Sequence, residues 1–326
     1  MKPSLWGQSA LSNGKRSGSP ANARLNPADH RLLFFFVLCA WVGNALYAWG
    51  DFDGLLKFWS PGLVAPAMIA FVIVHGRKQW SWRTIGAFAG IVFATAWVLE
   101  SLSMKTGFPF GWYHYGEQMR PFLGTVPVFV LLAYWIMAYL CWNLAVLFFD
   151  KMPQFHGAKV FLHPIPIIGA GLMVLWDLSL DPLRSTAEQR WHWLEGGVYH
   201  RIPLSNFAGW FFVTWVMLQL FAFHRARECS VWPRRPHPGD RNYWLGVPLL
   251  YLAFPVEYLL NPVVVYVRGE IGVAAEIVAI YSQTAGVTLL TMVPVALTAV
   301  AMIFWPRIGA KAHFTRSKRK KWLTRV

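Results

Sequence analysis

The twenty residues TIGAFAGIVFATAWVLESLS, from Thr84 to Ser103, carry a single charged side chain, Glu100. A helix of about 20 mostly apolar residues is long enough to cross a hydrocarbon core about 30 Å thick. The stretch therefore predicts a membrane-spanning helix with an acid near its end.

The rest of the chain repeats this pattern. Of the 326 residues, 56% are hydrophobic and 14% are charged, whereas soluble domains carry roughly 25% charge. The sequence predicts an all-α, polytopic transmembrane bundle of about eight spans, seven to nine. The candidate spans are Leu32–Trp49, Leu63–His75, Thr84–Ser103, Val126–Phe149, Phe161–Leu180, Phe207–Phe223, Leu245–Val265 and Val287–Trp305.

Two of these spans have open limits. The second is short, so it is tilted, re-entrant or extended through Pro61. The stretch from Glu270 to Gln283 is also fairly apolar and could lengthen the eighth span.

Basic residues orient the chain, because short cytoplasmic loops are enriched in Lys and Arg. The two tails and alternate loops hold 23 of the 30 Lys and Arg residues. We therefore expect a multi-pass protein of the cell (inner) membrane with both termini in the cytoplasm. The expected divisions are a disordered basic tail (1–28), a transmembrane domain (29–306) with two aromatic-rich non-cytoplasmic loops (104–125 and 181–206), and a basic cytoplasmic tail (307–326).

The net charge of +15 could suggest nucleic acid binding. However, the largest basic cluster, Arg316–Lys321 with Arg325, directly follows a span, where such charges bind anionic lipids. The sequence predicts contact with anionic membrane lipids at the C-terminus and no nucleic acid partner.

Familiar motifs of cofactor chemistry do not occur in the sequence. It has no His-x-x-x-His box, HExxH, dinucleotide fingerprint, P-loop or Gly-x-Ser-x-Gly, and its three cysteines are scattered. Redox, ATP-driven and acyl-transfer chemistry lose support, and we expect neither a metal site nor a cofactor.

Acids inside apolar spans are costly, and they are candidates for function. The sequence has Glu100, Asp177, Asp181, Glu257 and, before the last span, Glu276. The first three fall at the same non-cytoplasmic ends of two spans. We expect them to meet at one cavity.

Asp177 and Asp181 are four residues apart and share a helix face. Two carboxylates so close in poor solvent cannot both ionise cheaply, so one is expected to keep its proton. The alternative is that Asp181, before Pro182, only marks the helix end while Asp177 pairs with an arginine such as Arg184. Glu100 could likewise be a purely structural hydrogen-bonding residue.

The loops after these acids are rich in rings. Trp and Tyr form belts at any membrane interface, which accounts for most of them. Rings gathered beside acids can also line a pocket for a long apolar molecule and stabilise a cation. The ones in question are Trp112, Tyr113, Tyr115, Trp191, Trp193 and Tyr199.

The same segments resemble a known family, the integral-membrane carotenoid biosynthesis proteins, which include CruF-type carotenoid hydratases and bisanhydrobacterioruberin hydratases. The matching pieces cover about 110 residues in the middle of the chain. They are TGFPFGWYHY from Thr106, LGTVPVFVLLAYW from Leu123, DLSLDP from Asp177 and WHWLEGGVYHRIPLSNFAGW from Trp191.

The resemblance implies an enzyme that adds water across the terminal double bond of an acyclic carotenoid, without a cofactor. Protonation gives a tertiary cation that water captures. We expect Asp177 or Asp181 to donate the proton and Glu100 to hold the water. The expected substrate-binding residues are Tyr113, Tyr115, Tyr199 and Asn206, which would position water or the acid, and Trp112 and Trp210, which would flank the cation.

Three alternatives stay open. Asp177-Leu-Ser-Leu-Asp181 is also the DxxxD by which membrane prenyltransferases hold magnesium. Pro255-Val256-Glu257 resembles the Pro-x-Glu of small membrane lycopene cyclases, although Tyr258 replaces their second acid. The chain could also be a non-catalytic transporter or a scaffold for other carotenoid enzymes.

Overall fold

The computed structural model describes residues 26–50, 54–150, 162–228, 241–269 and 274–304. The predicted C-terminal tail and all but the last three residues of the predicted N-terminal tail lie outside these ranges. The lipid contact at Arg316–Lys321 and the cytoplasmic position of the termini stay predictions.

The described chain is a bundle of helices with almost no sheet. Eight helical segments are long and apolar enough to cross a membrane, which confirms the predicted polytopic transmembrane bundle. The helices are α1 Pro27–Trp49, α2 Gly54–Gln79, α3 Trp82–Thr106, α4 Val128–Asp150, α5 Pro164–Asp181, α6 Leu204–Glu228, α7 Arg241–Tyr251, α8 Ala253–Arg268, α9 Ala275–Leu290 and α10 Met292–Phe304.

The second span is longer than the predicted Leu63–His75. It extends through Pro61 and Pro66 as part of α2, so extension, one of the three possibilities, is the one observed. The last span likewise begins early, at Ala275, as the apolar stretch before it had suggested.

Each of the last two spans consists of two helices. In an unbroken helix, the backbone N–H at position 255 would donate to the carbonyl of Tyr251, and the one at position 294 to the carbonyl of Leu290. Both positions are proline, which has no N–H to donate. The helices α7 and α9 end at those two carbonyls. The two prolines therefore account for both breaks.

α4 lies at the centre of the bundle. It carries no charged residue before Asp150, so every face can be buried. α3, α5, α7 and α10 pack around it. α4 thus forms the core against which the helices that carry the acids are positioned.

The two aromatic-rich loops are joined by a short antiparallel sheet. Strand β1, Tyr113–Tyr115, pairs with β4, Trp191–Trp193, with His114 opposite His192. Between them in the chain, β2 (Phe122–Leu123) and β3 (Val126–Pro127) form a hairpin that leads into α4. Because side chains alternate along a strand, the Tyr and Trp residues of β1 and β4 share the inner face, and the two histidines share the outer face.

Gly209 of α6 allows the loop after α3 to approach closely. A Cβ on Gly209 would lie 2.5 Å from Cδ1 of Phe110 and 2.9 Å from the carbonyl oxygen of Pro109. We expect Gly209→Ala to destabilise the protein by about 1–3 kcal/mol, because backbone cannot yield as a flexible side chain can. Thermal unfolding in detergent checks this. Gly90→Ala in α3, with nothing within 4 Å, is the control and should be neutral or stabilising.

Candidate active site

A cavity of about 250 Å³ lies beneath the sheet, where α3 and α5 end. Helices α1 to α6 and α8 all contribute to its walls. Its polar lining includes Glu100, Asp181, Asn206, Arg184 and Glu257, and most of the remaining lining is aromatic or aliphatic. A largely apolar cavity with a few converging polar groups is the usual form of a binding site for a small or lipid-soluble molecule.

Glu100 is buried at one wall and held by three phenols. Its Oε2 accepts hydrogen bonds from Tyr113 and from Tyr115, the latter at 2.9 Å. Its Oε1 accepts one from Tyr134 at 2.8 Å. A carboxylate has about four acceptor sites, so one remains on Oε1, the oxygen with a single partner here.

Tyr113 and Tyr115 are suited to this role as donors. Burial, together with the neighbouring Glu100 carboxylate, raises the pKa of both phenols well above the usual value near 10. Both hydroxyls therefore stay protonated over the physiological pH range and continue to donate to Glu100.

Asp177 and Asp181 are fully buried and share one amide. Nδ2 of Asn206 donates to Oδ2 of Asp177 at 3.0 Å and to Oδ2 of Asp181 at 2.7 Å. Those two oxygens therefore lie no further apart than the sum of these two bonds. Nε1 of Trp191 donates to Oδ1 of Asp181 at 2.7 Å, whereas Oδ1 of Asp177 has no partner among the described residues.

The sheet explains how residues distant in the chain meet. β1 carries Tyr113 and Tyr115 to Glu100, and β4 carries Trp191 to Asp181. The cavity lining brings together Glu100 and Asp181, with Tyr113, Tyr115, Asn206 and Trp210 among the other candidate residues. Asp177 does not line the cavity itself and reaches it through Asn206.

Two predicted substrate-binding residues lie elsewhere. Trp112 is 40% exposed and outside the lining, because it shares the strand parity of His114 and not that of Tyr113. Tyr199 donates its hydroxyl to the carbonyl of Leu178 at 2.9 Å and also lies outside the lining. Burial raises its pKa to about 12. Of the two predicted tryptophans, Trp210 lines the cavity and Trp112 does not, while Tyr199 bonds the end of α5.

A buried ion network forms a second polar wall. Nη2 of Arg184 contacts both carboxylate oxygens of Glu257, at 2.8 and 2.7 Å, and its Nη1 contacts Glu188 at 2.6 Å. Glu188 also accepts from Nε of Arg190 at 2.6 Å and from the hydroxyl of Tyr47. Arg184 and Arg190 together balance the charges of the two glutamates, and Arg184 contacts both.

This network overturns the alternative in which Arg184 pairs with Asp177. The α-helix does end at Asp181, as that alternative supposed, but the chain continues as one π-helical turn, Pro182–Ala187. This turn carries Arg184 to Glu257 instead. The sequence indicated that Glu257 has a polar or charged partner, since an acid inside an apolar span is costly without one, but it did not indicate which residue that partner is.

Sequence reasoning also missed Tyr134 and Trp176. Tyr134 stacks on Trp210 with ring centroids 4.5 Å apart, and Trp176 meets the same indole edge-on at 5.8 Å. Both lie inside long apolar helices, where a ring is usually packing material. No pattern in the sequence separates them from the other core rings.

Glu276, the remaining acid, lies in the first turn of α9 and contacts Arg201 at 3.4 Å. Both side chains are exposed, so this acid takes no part in the cavity. Within the described ranges, no group of three or more His, Cys, Asp or Glu side chains is placed to hold a metal ion.

Comparison with known proteins agrees with the family resemblance. No curated protein matches the chain, and no solved structure does. A family model described as carotenoid biosynthesis protein matches residues 61–264. This segment is more than half of the chain and contains every cavity-lining residue except those contributed by α1. With its eight membrane-spanning segments and its cavity between them, the chain belongs to the carotenoid biosynthesis protein family.

Proposed function

We propose that this membrane protein hydrates the terminal double bond of an acyclic carotenoid end group to give a tertiary alcohol. The observation that carries the proposal is that Asp181, which is paired with Asp177 through Asn206, and Glu100 line the same ring-lined cavity. Family membership supports a carotenoid substrate, and these side chains support acid chemistry on it.

Asp181 is the proton donor in this scheme. It lines the cavity, whereas Asp177 lies behind it. A buried pair of carboxyl groups is stable only if it is not doubly charged, and the unpaired Oδ1 of Asp177 makes a second charge still more costly. The pair therefore holds a proton. Asp181 passes it to the less substituted alkene carbon, whose π electrons form the new C–H bond.

Glu100 completes the reaction. Three phenol donors are the arrangement of an ionised carboxylate, and a negative charge there stabilises the tertiary cation. The remaining acceptor site on Oε1 holds a water molecule, whose oxygen forms the C–O bond while Glu100 takes its proton. That proton returns to Asp181 through water before the next turnover, so protons balance over the cycle.

The rings keep bulk water away from the cation. Trp210 contacts Tyr134 face to face and Trp176 edge to face, and Trp191 and Trp193 cover the site from the sheet. Aromatic faces stabilise a cation by about 0.5–2 kcal/mol each, most when desolvated. A single ordered water can then compete successfully with proton loss.

Expression in a host that makes acyclic carotenoids, followed by mass analysis of the pigments, tests the proposal. A gain of one water per reacted end is the expected result. An added isoprene unit would indicate prenyl transfer, and an altered absorption at unchanged mass would indicate cyclisation. Unchanged pigments with correctly inserted protein would favour a transporter or scaffold, and each of these three results contradicts hydration.

We expect Tyr134→Phe to slow product formation roughly ten- to a hundredfold. The change removes one hydrogen bond to a charged group, worth about 1.5–3 kcal/mol, while keeping the ring that stacks on Trp210. The rate of hydration per membrane-inserted protein measures the effect. Tyr266→Phe, which alters an exposed phenol, is the control, and an equal rate in both variants would remove Tyr134 from the scheme.

A further inference from the structure

The cavity changes character from one end to the other. The acids, Asn206 and the ion network occupy the end beneath the sheet. A second part of the wall, which we call the apolar end, is formed by Pro61 and Val64 from α2 and by Phe129, Val130 and Ala133 from α4. None of these five side chains is polar, so this end suits hydrocarbon.

The apolar end reaches the protein surface. Among the described lining residues, only Pro61 and Phe129 are exposed, Phe129 by 53%. Each is the second residue of a membrane-spanning segment, Ser60–Gln79 and Val128–Phe149. The cavity therefore opens sideways towards lipid, near the boundary of the hydrocarbon layer.

Packing around α2 leaves space for this opening. α2 packs along the length of α1 but touches α3 and α4 only slightly. Along α4, Phe129, Val130 and Ala133 lie on one face, since residues three and four apart share a face. α2 and this face of α4 form the two sides of a lateral gap.

The size of the cavity limits what it can enclose. Pockets that enclose a small ligand usually measure about 300–1,000 Å³, and this one measures about 250 Å³. It can hold the end of a long polyene but not the whole molecule. The rest of the chain has to leave through an apolar opening, and the ion network makes the other wall unsuitable.

We propose that the gap between α2 and the Phe129–Ala133 face of α4 is the lateral opening through which a lipid-soluble polyene substrate inserts one end. Its end group lies against Asp181 and Glu100, and its remaining chain extends between the two helices into the membrane. The inference rests on the proposed function only for what happens to the inserted end.

Two substitutions that fill the opening test it. Ala133→Trp and Val130→Trp are each combined with Asp181→Asn, and the polyene absorbance that copurifies with the protein is measured per mole of protein. We expect at least a tenfold loss of bound polyene relative to Asp181→Asn alone. Leu38→Trp, on a lipid-facing position of α1 that is 60% exposed, is the control and should keep its pigment.

Chemical labelling removes any dependence on folding of the tryptophan variants. An Ala133→Cys protein is purified without pigment, labelled with a bulky maleimide and then mixed with an acyclic carotenoid in detergent. Labelled protein should bind at least tenfold less polyene than unlabelled protein, and the wild type treated with the same reagent should bind normally. Undiminished binding by the labelled protein would overturn the opening.

The binding experiments test the lateral opening independently of the proposed hydration. Binding is read from the polyene itself, whether or not it has reacted. If filling the gap removes the pigment but Asp181→Asn still yields hydrated product, the opening stands and the catalytic assignment fails. If Asp181→Asn is inactive but the filled variants bind normally, the reverse holds.

Discussion

Replacing Asp181 by asparagine is expected to reduce hydration by about 10²–10⁴-fold, the usual contribution of a general acid. Asparagine keeps the shape of the side chain, but its single amide oxygen can take the place of only one of the two oxygens that accept from Asn206 and Trp191. It also has no acidic proton to give to the alkene. The measurement is the initial rate at which pigment mass rises by one water, per membrane-inserted protein.

Two further variants sharpen this result. Asp177→Asn should reduce the hydration rate less than Asp181→Asn. Asp177 lies behind the cavity and does not itself reach the alkene, and it acts only by helping Asp181 to hold its proton. Glu117→Gln, which removes an exposed carboxylate paired with Arg120, should leave the rate unchanged. If the hydration rate of Asp181→Asn equalled that of Glu117→Gln, Asp181 would not be the proton donor. If Asp177→Asn lowered the rate more than Asp181→Asn, the roles of the two aspartates would be exchanged.

Arg184→Met is expected to cause the largest loss of stability, about 3–5 kcal/mol. Removing one partner of a buried ion pair leaves the other charge uncompensated. Here Glu257 loses the arginine that bonds both of its oxygens, whereas Glu188 keeps Arg190. We expect a much lower unfolding temperature in detergent, or little folded protein in the membrane.

A second substitution distinguishes the effect of the unpaired charge from the effect of losing the arginine side chain. Adding Glu257→Gln to Arg184→Met removes the charge of the glutamate that lost its arginine and should restore part of the lost stability. Arg120→Met breaks an exposed pair with Glu117, and such pairs contribute about 0–1 kcal/mol. Equal losses for Arg184→Met and Arg120→Met would show that the network is not a stabilising element.

The spans could be predicted because length and hydropathy alone decide whether a helix crosses a membrane. The breaks near Pro255 and Pro294 could not, since neighbouring helices can supply partners for the freed carbonyls and a proline often leaves a span intact. For the second span, the sequence left three possibilities: a tilted helix, a re-entrant segment or an extension through Pro61. Tertiary packing against α1 decides between them, and the sequence does not reveal it.

The meeting of Glu100 with the two aspartates could be predicted from which span ends face the same side. The covering loops were harder, because strands of three residues are too short to show a period. Trp112 and Tyr113 are equally plausible cavity residues in the sequence, and only the pairing of β1 with β4 separates them. The role of Tyr134 could not be predicted, since it depends on which of the core rings faces Glu100.

The pairing of His114 with His192 has a consequence for loop length. Inserting one residue before β1 would rotate every side chain of that strand to the opposite face. The imidazole of His114 would then take the place of one phenol above Glu100, and the carboxylate would lose two of its three hydroxyl donors. The number of residues between α3 and β1 is therefore as much a determinant of the chemistry as their identity, and variants that change that spacing should fail even when every site residue is kept.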